Sequence, residues 1–247
     1  MKNEYIAKRK SVRKFDATPF SDELLAAIKD KIKAVRPLFP DIAYSVEVIE
    51  DKNPSKHNPP YYLFFSSEEK DGCYENIGFI GQQLSLYLTS IGVGSYFRMK
   101  KPNLDSKSNL TYVICMPFGR PAEPLFRESF EFKRKKLSEI CEGYDIRIEA
   151  ARLAPSAFNG QNWYFVAKSG RIHCYRKKPN FFMGVIKDKL TCIDMGIALC
   201  HICEESETFS YRKLDTAPEK KRIYLYGNGH INGVRRYGTG LYCETIK

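Results

Sequence analysis

The sequence predicts an α+β fold built from two similar halves. Helical and strand-like hydrophobic patterns alternate along the 247 residues. The same order of patterns recurs in the second half of the chain. Hydrophobic residues make up 43% and charged residues 28%, which is typical of a folded, soluble protein.

The first half begins with an amphipathic helix. Apolar residues keep helical spacing up to Val35, Ser21 stands in the N-cap position, and Asp22 and Glu23 occupy the first turn. The elements that follow are a half-buried strand at 43–50, a fully apolar strand at 61–65, a helix over 80–91 ended by Gly92, and a strand at 111–116.

The second half repeats this order. The predicted elements are a helix at 144–154, strands at 162–167 and 171–176, a helix at 190–204 and a strand at 222–226. A shift of 116 residues lays 32–50 over 148–167 and 78–91 over 194–207. The sequence therefore predicts two copies of one unit, 1–125 and 126–247, packed into one compact body. Two ordinary stretches of a single α+β fold are the alternative.

Charge and hydropathy restrict the possible partners. The formal net charge is +11, but the basic residues are spread along the chain, with concentrations at 8–14 and 133–136 and no RNA-binding signature around them. A small phosphate ligand would use the same charges, so nucleic acid is the disfavoured partner. The N-terminus has no apolar signal-peptide core, and no apolar run approaches the ~18 residues of a membrane span. We expect a cytoplasmic protein that does not bind membranes.

The eight cysteines are expected to be free and buried, because no export signal precedes them. The alternative is a zinc site formed by Cys192, Cys200, His201 and Cys203. No second C-x-x-C motif accompanies these residues, so no metal is predicted.

Four segments carry a resemblance to a known family. They are RKSVRKF (9–15), GFIGQQLSLYLTSIGVGSYF (78–97), FGRPAEP (118–124) and APSAFNGQNW (154–163). In type and order they resemble segments of the FMN-dependent nitroreductases. The resemblance implies an α/β/α sandwich with a mostly antiparallel central sheet and FMN as the cofactor. It also implies NADH or NADPH as co-substrate and a nitroaromatic, quinone or similar small-molecule electron acceptor. The flavin would carry the chemistry, so no catalytic side chain is assigned.

The motifs are distributed unevenly between the two halves. Ordinary members of the family carry one R-x-S-x-R-type and one P-S-x-x-N segment per protomer, and a homodimer builds two sites. Here the first half has the arginine motif but reads VRPLFPDI (35–42) where the second loop belongs, while the second half has PSAFN (155–159) but only the weak RESFEF (127–132). This resembles the subgroup in which one chain imitates the dimer. We therefore expect a monomer that binds one FMN between its halves.

The arginine motif supplies the first predicted ligands. By the resemblance, Arg9 and Ser11 take the phosphate or ribityl end of FMN. Arg13 lies near N1 and the C2 carbonyl, where a cation stabilises the reduced flavin. A solvated basic N-terminal tail is the alternative.

The second-half loop supplies polar groups for the pyrimidine edge of the flavin. Ser156, Asn159 and Gln161 can donate and accept hydrogen bonds, and backbone groups are left open where the helix ends at Pro155. An ordinary helix-to-strand turn is the alternative. Trp163 is expected to pack in the core.

Two further pairs complete the predicted site. An N–H of Val93 or Gly94 is expected to meet flavin N5, with a simple helix C-cap as the alternative. Arg134 and Lys135 lie where the family has phosphate-binding basic residues, with a solvated charge run as the alternative.

The sequence leaves two other functions open. An FMN-storage protein would keep the same ligands but close the flavin face, for which Phe158, Phe181 and Phe182 are candidates. A nucleic-acid-binding protein would use the net positive charge instead. The glycine-rich C-terminal segment has no predicted role.

Overall fold

The computed structural model describes residues 2–54, 59–176, 184–213 and 241–244. The chain divides into two compact units, Met1–Phe132 and Lys133–Lys247, whereas the sequence places the division after residue 125. The later boundary has a physical reason, because Arg9 forms a β-bridge with Phe126 and the Arg127 N–H donates to the Lys8 carbonyl at 2.9 Å. The segment that the sequence assigns to the start of the second half is thereby tied to the first unit.

Some predicted features fall outside the described residues. These are the strand at 222–226, Phe181 and Phe182, and most of the glycine-rich C-terminal segment.

The first unit contains three helices and four strands among its described residues. They are α1 Glu4–Lys8, α2 Asp22–Ala34, β1 Tyr44–Glu50, β2 Tyr61–Ser67, α3 Cys73–Ser90, β3 Gly94–Ser95 and β4 Thr111–Gly119. Helix α2 begins as predicted, because the Leu24 N–H donates to the Ser21 hydroxyl at 3.3 Å. Helix α3 ends where Gly92 adopts a φ of 79°, a conformation that glycine takes without a steric penalty.

The four strands of the first unit form an antiparallel sheet in the order β1-β2-β4-β3. All positions of β2 are buried, as its continuous apolar sequence predicts for a central strand. Helices α1 and α2 pack on α3, and α3 packs on the sheet. One part of the core therefore lies between α3 and the sheet. A separate cluster is formed by Tyr62, Phe64 and Cys115, with Ile49, Leu104 and Tyr112 packed against it.

The second unit contains three helices and five strands among its described residues. They are α4 Leu137–Ile140, β5 Cys141–Glu142, α5 Ile146–Arg152, β6 Trp163–Lys168, β7 Arg171–Arg176, α6 Gly184–Glu205, β8 Ser210–Lys213 and β9 Leu241–Glu244. Its sheet has the order β5-β6-β7-β9-β8, with β5 and β6 parallel and the other pairs antiparallel. Helix α6 packs on α5 and β7, and it begins before the predicted residue 190.

The two units share part of their succession of elements, although β5 has no counterpart in the first unit. In each, a hairpin (β1-β2 or β6-β7) is followed by a long helix (α3 or α6). An edge strand (β3 or β8) comes next, and a last strand (β4 or β9) pairs between the hairpin and that edge strand. The predicted α+β fold with mostly antiparallel pairing is confirmed. The shared succession supports the predicted internal repeat, which stays a prediction.

Within the described residues, no helix is both long enough and apolar enough to cross a membrane.

Candidate functional site

The arginine motif of the first unit runs beside β3. The Val12 N–H donates to the Ser95 carbonyl at 3.1 Å. A Cβ placed on Gly94 would lie 2.7 Å from Cγ1 of Val12, so a side chain at this position would collide with the motif. Two segments that the sequence predicts separately as flavin contacts are thus direct neighbours, and Gly94 is required by that contact.

The side chains of the motif differ in exposure. Arg9 is only 1% exposed, and its Nη2 donates to the Ser11 hydroxyl at 3.2 Å. Arg13 is exposed, and its guanidinium carbon lies 5.4 Å from the centre of the Tyr96 ring. Arg13 is therefore the accessible arginine of the motif, while Arg9 is held inside the unit.

A third arginine joins this cluster. The Nε of Arg127 donates to the Arg9 carbonyl at 3.0 Å, and its guanidinium lies 4.5 Å from the Phe132 ring centre. Burial lowers the pKa of Arg127, with a further lowering from the nearby Arg13 and an opposing effect from Glu131. By sequence, 127–132 is only a weak counterpart of the arginine motif, and Arg127 is not among the predicted ligands. The single arginine of that segment is the only sequence signal for this contact.

The Val93 N–H already has a backbone partner. It donates to the Leu88 carbonyl at 2.8 Å, closing the last turn of α3. The contact of Val93 or Gly94 with flavin N5 stays a prediction, since the Val93 N–H is engaged within α3 and Gly94 pairs with Gly119 at the start of β3. Beside Gly94, the buried hydroxyl of Ser95 has no hydrogen-bond partner among the described residues, so it could bind a polar ligand atom.

The loop after α5 has an uncommon backbone. Phe158, Asn159 and Gln161 have φ values of 53°, 53° and 48°, in the left-handed region. For residues with a Cβ this conformation costs roughly 1–2 kcal/mol each, so other contacts must hold the loop in place. Phe158 is 86% exposed, and α5 ends at Arg152, shortly before Pro155.

The basic segment 133–136 supplies many of those contacts. Nη1 of Arg134 donates to Oδ1 of Asn159 at 2.7 Å, and the Lys135 N–H donates to Oε1 of Gln161 at 2.8 Å. The Lys135 ammonium reaches the Gly160 carbonyl at 2.8 Å. Burial lowers the pKa of Lys135, and Glu139 opposes that effect. The two predicted ligand segments of the second unit therefore lie together.

These bonds occupy much of the polar chemistry that the sequence assigns to flavin. Gln161 is 3% exposed, and its amide accepts from Lys135 and donates to the Asn159 carbonyl at 3.1 Å. The Ser156 hydroxyl accepts from the Gln161 N–H at 3.0 Å. In this structure the Gln161 amide braces the loop, because its oxygen and its nitrogen each make a hydrogen bond within the unit, and its flavin contact stays a prediction. The more accessible Ser156 and Asn159 remain candidate flavin contacts.

One carboxylate outside the predicted set contacts the same loop. Oδ1 of Asp194, on α6, accepts from the Ala157 N–H at 2.9 Å. Asp194 is 4% exposed, and its Oδ2 has no partner among the described residues. Burial raises the pKa of Asp194 from 3.8 to about 7, although the Ala157 N–H acts in the opposite direction. A lone acid inside the mostly apolar run of 190–203 is the sequence signal for it.

Other sequence candidates have structural roles. Trp163 is 1% exposed and packs against Phe165, as predicted. His201 is fully buried, and its Nδ1 lies 2.8 Å from the Ala150 carbonyl. Within the described residues, no group of His, Cys, Asp or Glu side chains could hold a metal ion.

A pocket of about 600 Å³ lies elsewhere in the first unit. Tyr62, Arg98 and Lys101 contribute to its lining, and no predicted flavin ligand does. The predicted ligands and this pocket thus belong to different parts of the unit's surface.

Comparisons with known proteins bear on this arrangement. A family model described as "Putative TM nitroreductase" matches residues 3–206. A structure from Thermotoga maritima, described as "a putative nitroreductase", is 21% identical, with 98% of this chain and 92% of that chain covered at a TM-score of 0.64. A nitroreductase family protein from Clostridium difficile is 15% identical, with 56% and 95% covered at a TM-score of 0.42.

A third structure, an FMN-dependent nitroreductase from Clostridium difficile R20291, is 17% identical, with 53% of this chain and 96% of that chain covered at a TM-score of 0.38. The comparison with curated proteins found no match. The likeness to the Thermotoga maritima structure shows a shared fold.

Proposed function

Since the chain belongs to the nitroreductase family, we propose that it is an FMN-dependent oxidoreductase. In this proposal it takes hydride from NADH or NADPH and passes it to a small electrophile such as a nitroaromatic or a quinone. The contact between the arginine motif and β3 carries the proposal. It brings the exposed Arg13, the candidate backbone donor Gly94 and the buried hydroxyl of Ser95 into one region of the first unit.

The donors of this region fit a flavin in charge and in polarity. FMN has an anionic phosphate and becomes electron-rich at N1 and C2=O when reduced, so a binding region needs cations and hydrogen-bond donors. Arg13 and Arg127 supply positive charge. The buried Ser95 hydroxyl has no hydrogen-bond partner among the described residues, so it supplies a polar atom that a ligand can bond. Bound FMN would accept and release the hydride, while Arg13 would favour its reduced, anionic form electrostatically.

In the second unit, the loop 155–161 carries the other proposed flavin contacts. The exposed Asn159 and the half-buried Ser156 are the proposed contacts, with Lys135 as a nearby cation. Arg134 would position Asn159 for this contact, because it donates a hydrogen bond to Oδ1 of Asn159. The stoichiometry of one FMN per chain stays a prediction.

Reconstitution tests the cofactor. Cofactor-free protein should take up FMN and turn yellow, and Arg13→Gln should raise the FMN Kd about tenfold, the loss of one charge-assisted hydrogen bond. Lys14→Gln is the matched control, because Lys14 is an exposed cation next to Arg13 in sequence. Its Kd should stay within about twofold of the parent value. A protein that takes up no FMN would refute the proposal.

Anaerobic reduction tests the hydride donor. NADH or NADPH should bleach the visible absorbance of the bound flavin, and a quinone should restore it. A yellow protein that neither nucleotide bleaches would instead be an FMN-storage protein.

A further inference from the structure

We propose that Asp194 is a positioning residue that holds the loop 155–161 in its flavin-binding conformation. The inference rests on the proposed function, since it assigns a role toward the same flavin. Asp194 lies within α6, and its Oδ1 accepts from the Ala157 N–H at 2.9 Å.

The bond satisfies a backbone N–H group at the start of the loop. Ser156 is the N-cap of the short turn Ala157–Asn159, and its side chain makes no capping bond to that turn. The N–H groups at the start of such a turn have no partner within it, so an outside acceptor is required. Asp194 is that acceptor for Ala157.

The loop is held from its other end by a different segment. Arg134 bonds Asn159, and Lys135 bonds Gly160 and Gln161. Asp194 therefore bonds the first residue of the turn, while residues 134–135 bond its far end. Arg134 also donates to the Leu153 carbonyl just before the loop at 3.2 Å, but it makes no bond to Ala157. Between the two anchors lie residues with left-handed backbone, which would relax to another conformation if either anchor were lost.

The choice of a carboxylate at this position costs stability. Asp194 is 4% exposed, and its second oxygen has no partner among the described residues. An apolar residue of similar size would suit the neighbouring apolar side chains of α6 better. The bond of this costly buried acid goes to the candidate ligand loop, which points to a functional role for that bond.

Two neutral variants of Asp194 separate the acceptor from the charge. Asp194→Asn keeps an oxygen that can accept from Ala157, whereas Asp194→Leu has a similar volume without an acceptor. Ser206→Ala is the control for a change near the end of α6, because the Ser206 hydroxyl donates to the Ile202 carbonyl one turn earlier at 2.7 Å. Circular dichroism and thermal unfolding establish that each variant is folded.

Hydrogen exchange of the Ala157 amide measures its hydrogen bond to Asp194 in the absence of flavin. The Ala157 amide should exchange about tenfold or more faster in Asp194→Leu than in the parent protein, and near the parent rate in Asp194→Asn. FMN titration then measures how the loss of this bond changes the affinity for FMN. Its Kd should rise about tenfold in Asp194→Leu and stay within about twofold in Asp194→Asn and Ser206→Ala.

The outcomes distinguish this inference from the proposed function. If the parent protein binds FMN, an unchanged Kd in folded Asp194→Leu overturns the positioning role. If Asp194→Asn loses as much affinity as Asp194→Leu, the acceptor is not what matters and the inference also fails. If the parent protein binds no FMN, the proposed function fails, and with it the flavin role of Asp194, even where the exchange result confirms the anchor.

Discussion

The contact between Val12 and Gly94 can be tested by a double-mutant cycle. A Cβ at Gly94 would lie 2.7, 2.8 and 3.1 Å from Cγ1, Cβ and Cγ2 of Val12. Val12 is fully buried and β-branched, so it has little freedom to move aside. Gly94→Ala should therefore destabilise the protein by about 1–3 kcal/mol through overpacking.

The second arm of the cycle removes the obstructing methyl groups. Val12→Ala should cost about 2 kcal/mol from lost burial. In the double variant the contacts with Cγ1 and Cγ2 are gone, but the Cβ at position 12 still lies 2.8 Å from the new methyl, so the overpacking is relieved only in part. The combined loss should then be smaller than the sum of the single losses by about 1–2 kcal/mol.

Urea unfolding of the cofactor-free protein, followed by circular dichroism, measures these free energies. Gly92→Ala is the control, because Gly92 has a φ of 79° and a Cβ at that position would have no atom of the described residues within 4 Å. The loss of unfolding free energy caused by Gly92→Ala should simply add to the loss caused by Val12→Ala. Additive losses for Val12→Ala and Gly94→Ala, within about 0.5 kcal/mol, would refute the contact and with it the observation that carries the proposed function.

Three further predictions concern pH, backbone conformation and stoichiometry. Because burial raises the pKa of Asp194 from 3.8 to about 7, the parent protein should lose stability as the pH rises through that range. Asp194→Asn should escape the loss, with a difference on the order of 4 kcal/mol above pH 8, and parallel pH profiles of unfolding would contradict this. Gly143→Ala should cost about 3 kcal/mol in urea unfolding, since φ is 78° and the Cβ would lie 2.2 Å from the Ala167 carbonyl oxygen. Gly170→Ala, with a φ of 75° and open space, should cost only about 1 kcal/mol. FMN titration should saturate at one flavin per chain, and two equivalent flavins would contradict the uneven distribution of the motifs.

Most helices and strands were predictable because their signals are local. The cap at Ser21 and the left-handed Gly92 mark helix ends, and the continuous apolar run of β2 marks a central strand. Each signal depends on residues within a few positions, so it survives without knowledge of the rest of the chain. The unit boundary was misplaced because the pairing of 8–9 with 126–127 has no local signal.

The candidate site was predictable in part. Sequence resemblance indicated the segments 9–13, 93–94, 134–135 and 155–161, but it could not assign the hydrogen bonds of their side chains. Gln161 is an example, since the same amide suits a flavin edge or a loop brace, and only the nearby Lys135 N–H decides for the brace. Val93 is another, because its N–H is taken by the last turn of α3.

By itself the sequence determined the order and type of the longer helices and strands, but not the short elements α1, β3, α4, β5 and β8. It also determined the family resemblance and the presence of cations and amides in short motifs. Tertiary structure alone decided that the arginine motif lies against β3, that the basic segment braces the loop, and that Asp194 holds the entry of that loop. The physical reason is range. Hydrophobic periodicity records which face of a local element is buried, whereas a hydrogen bond depends on which distant segment comes within about 3 Å.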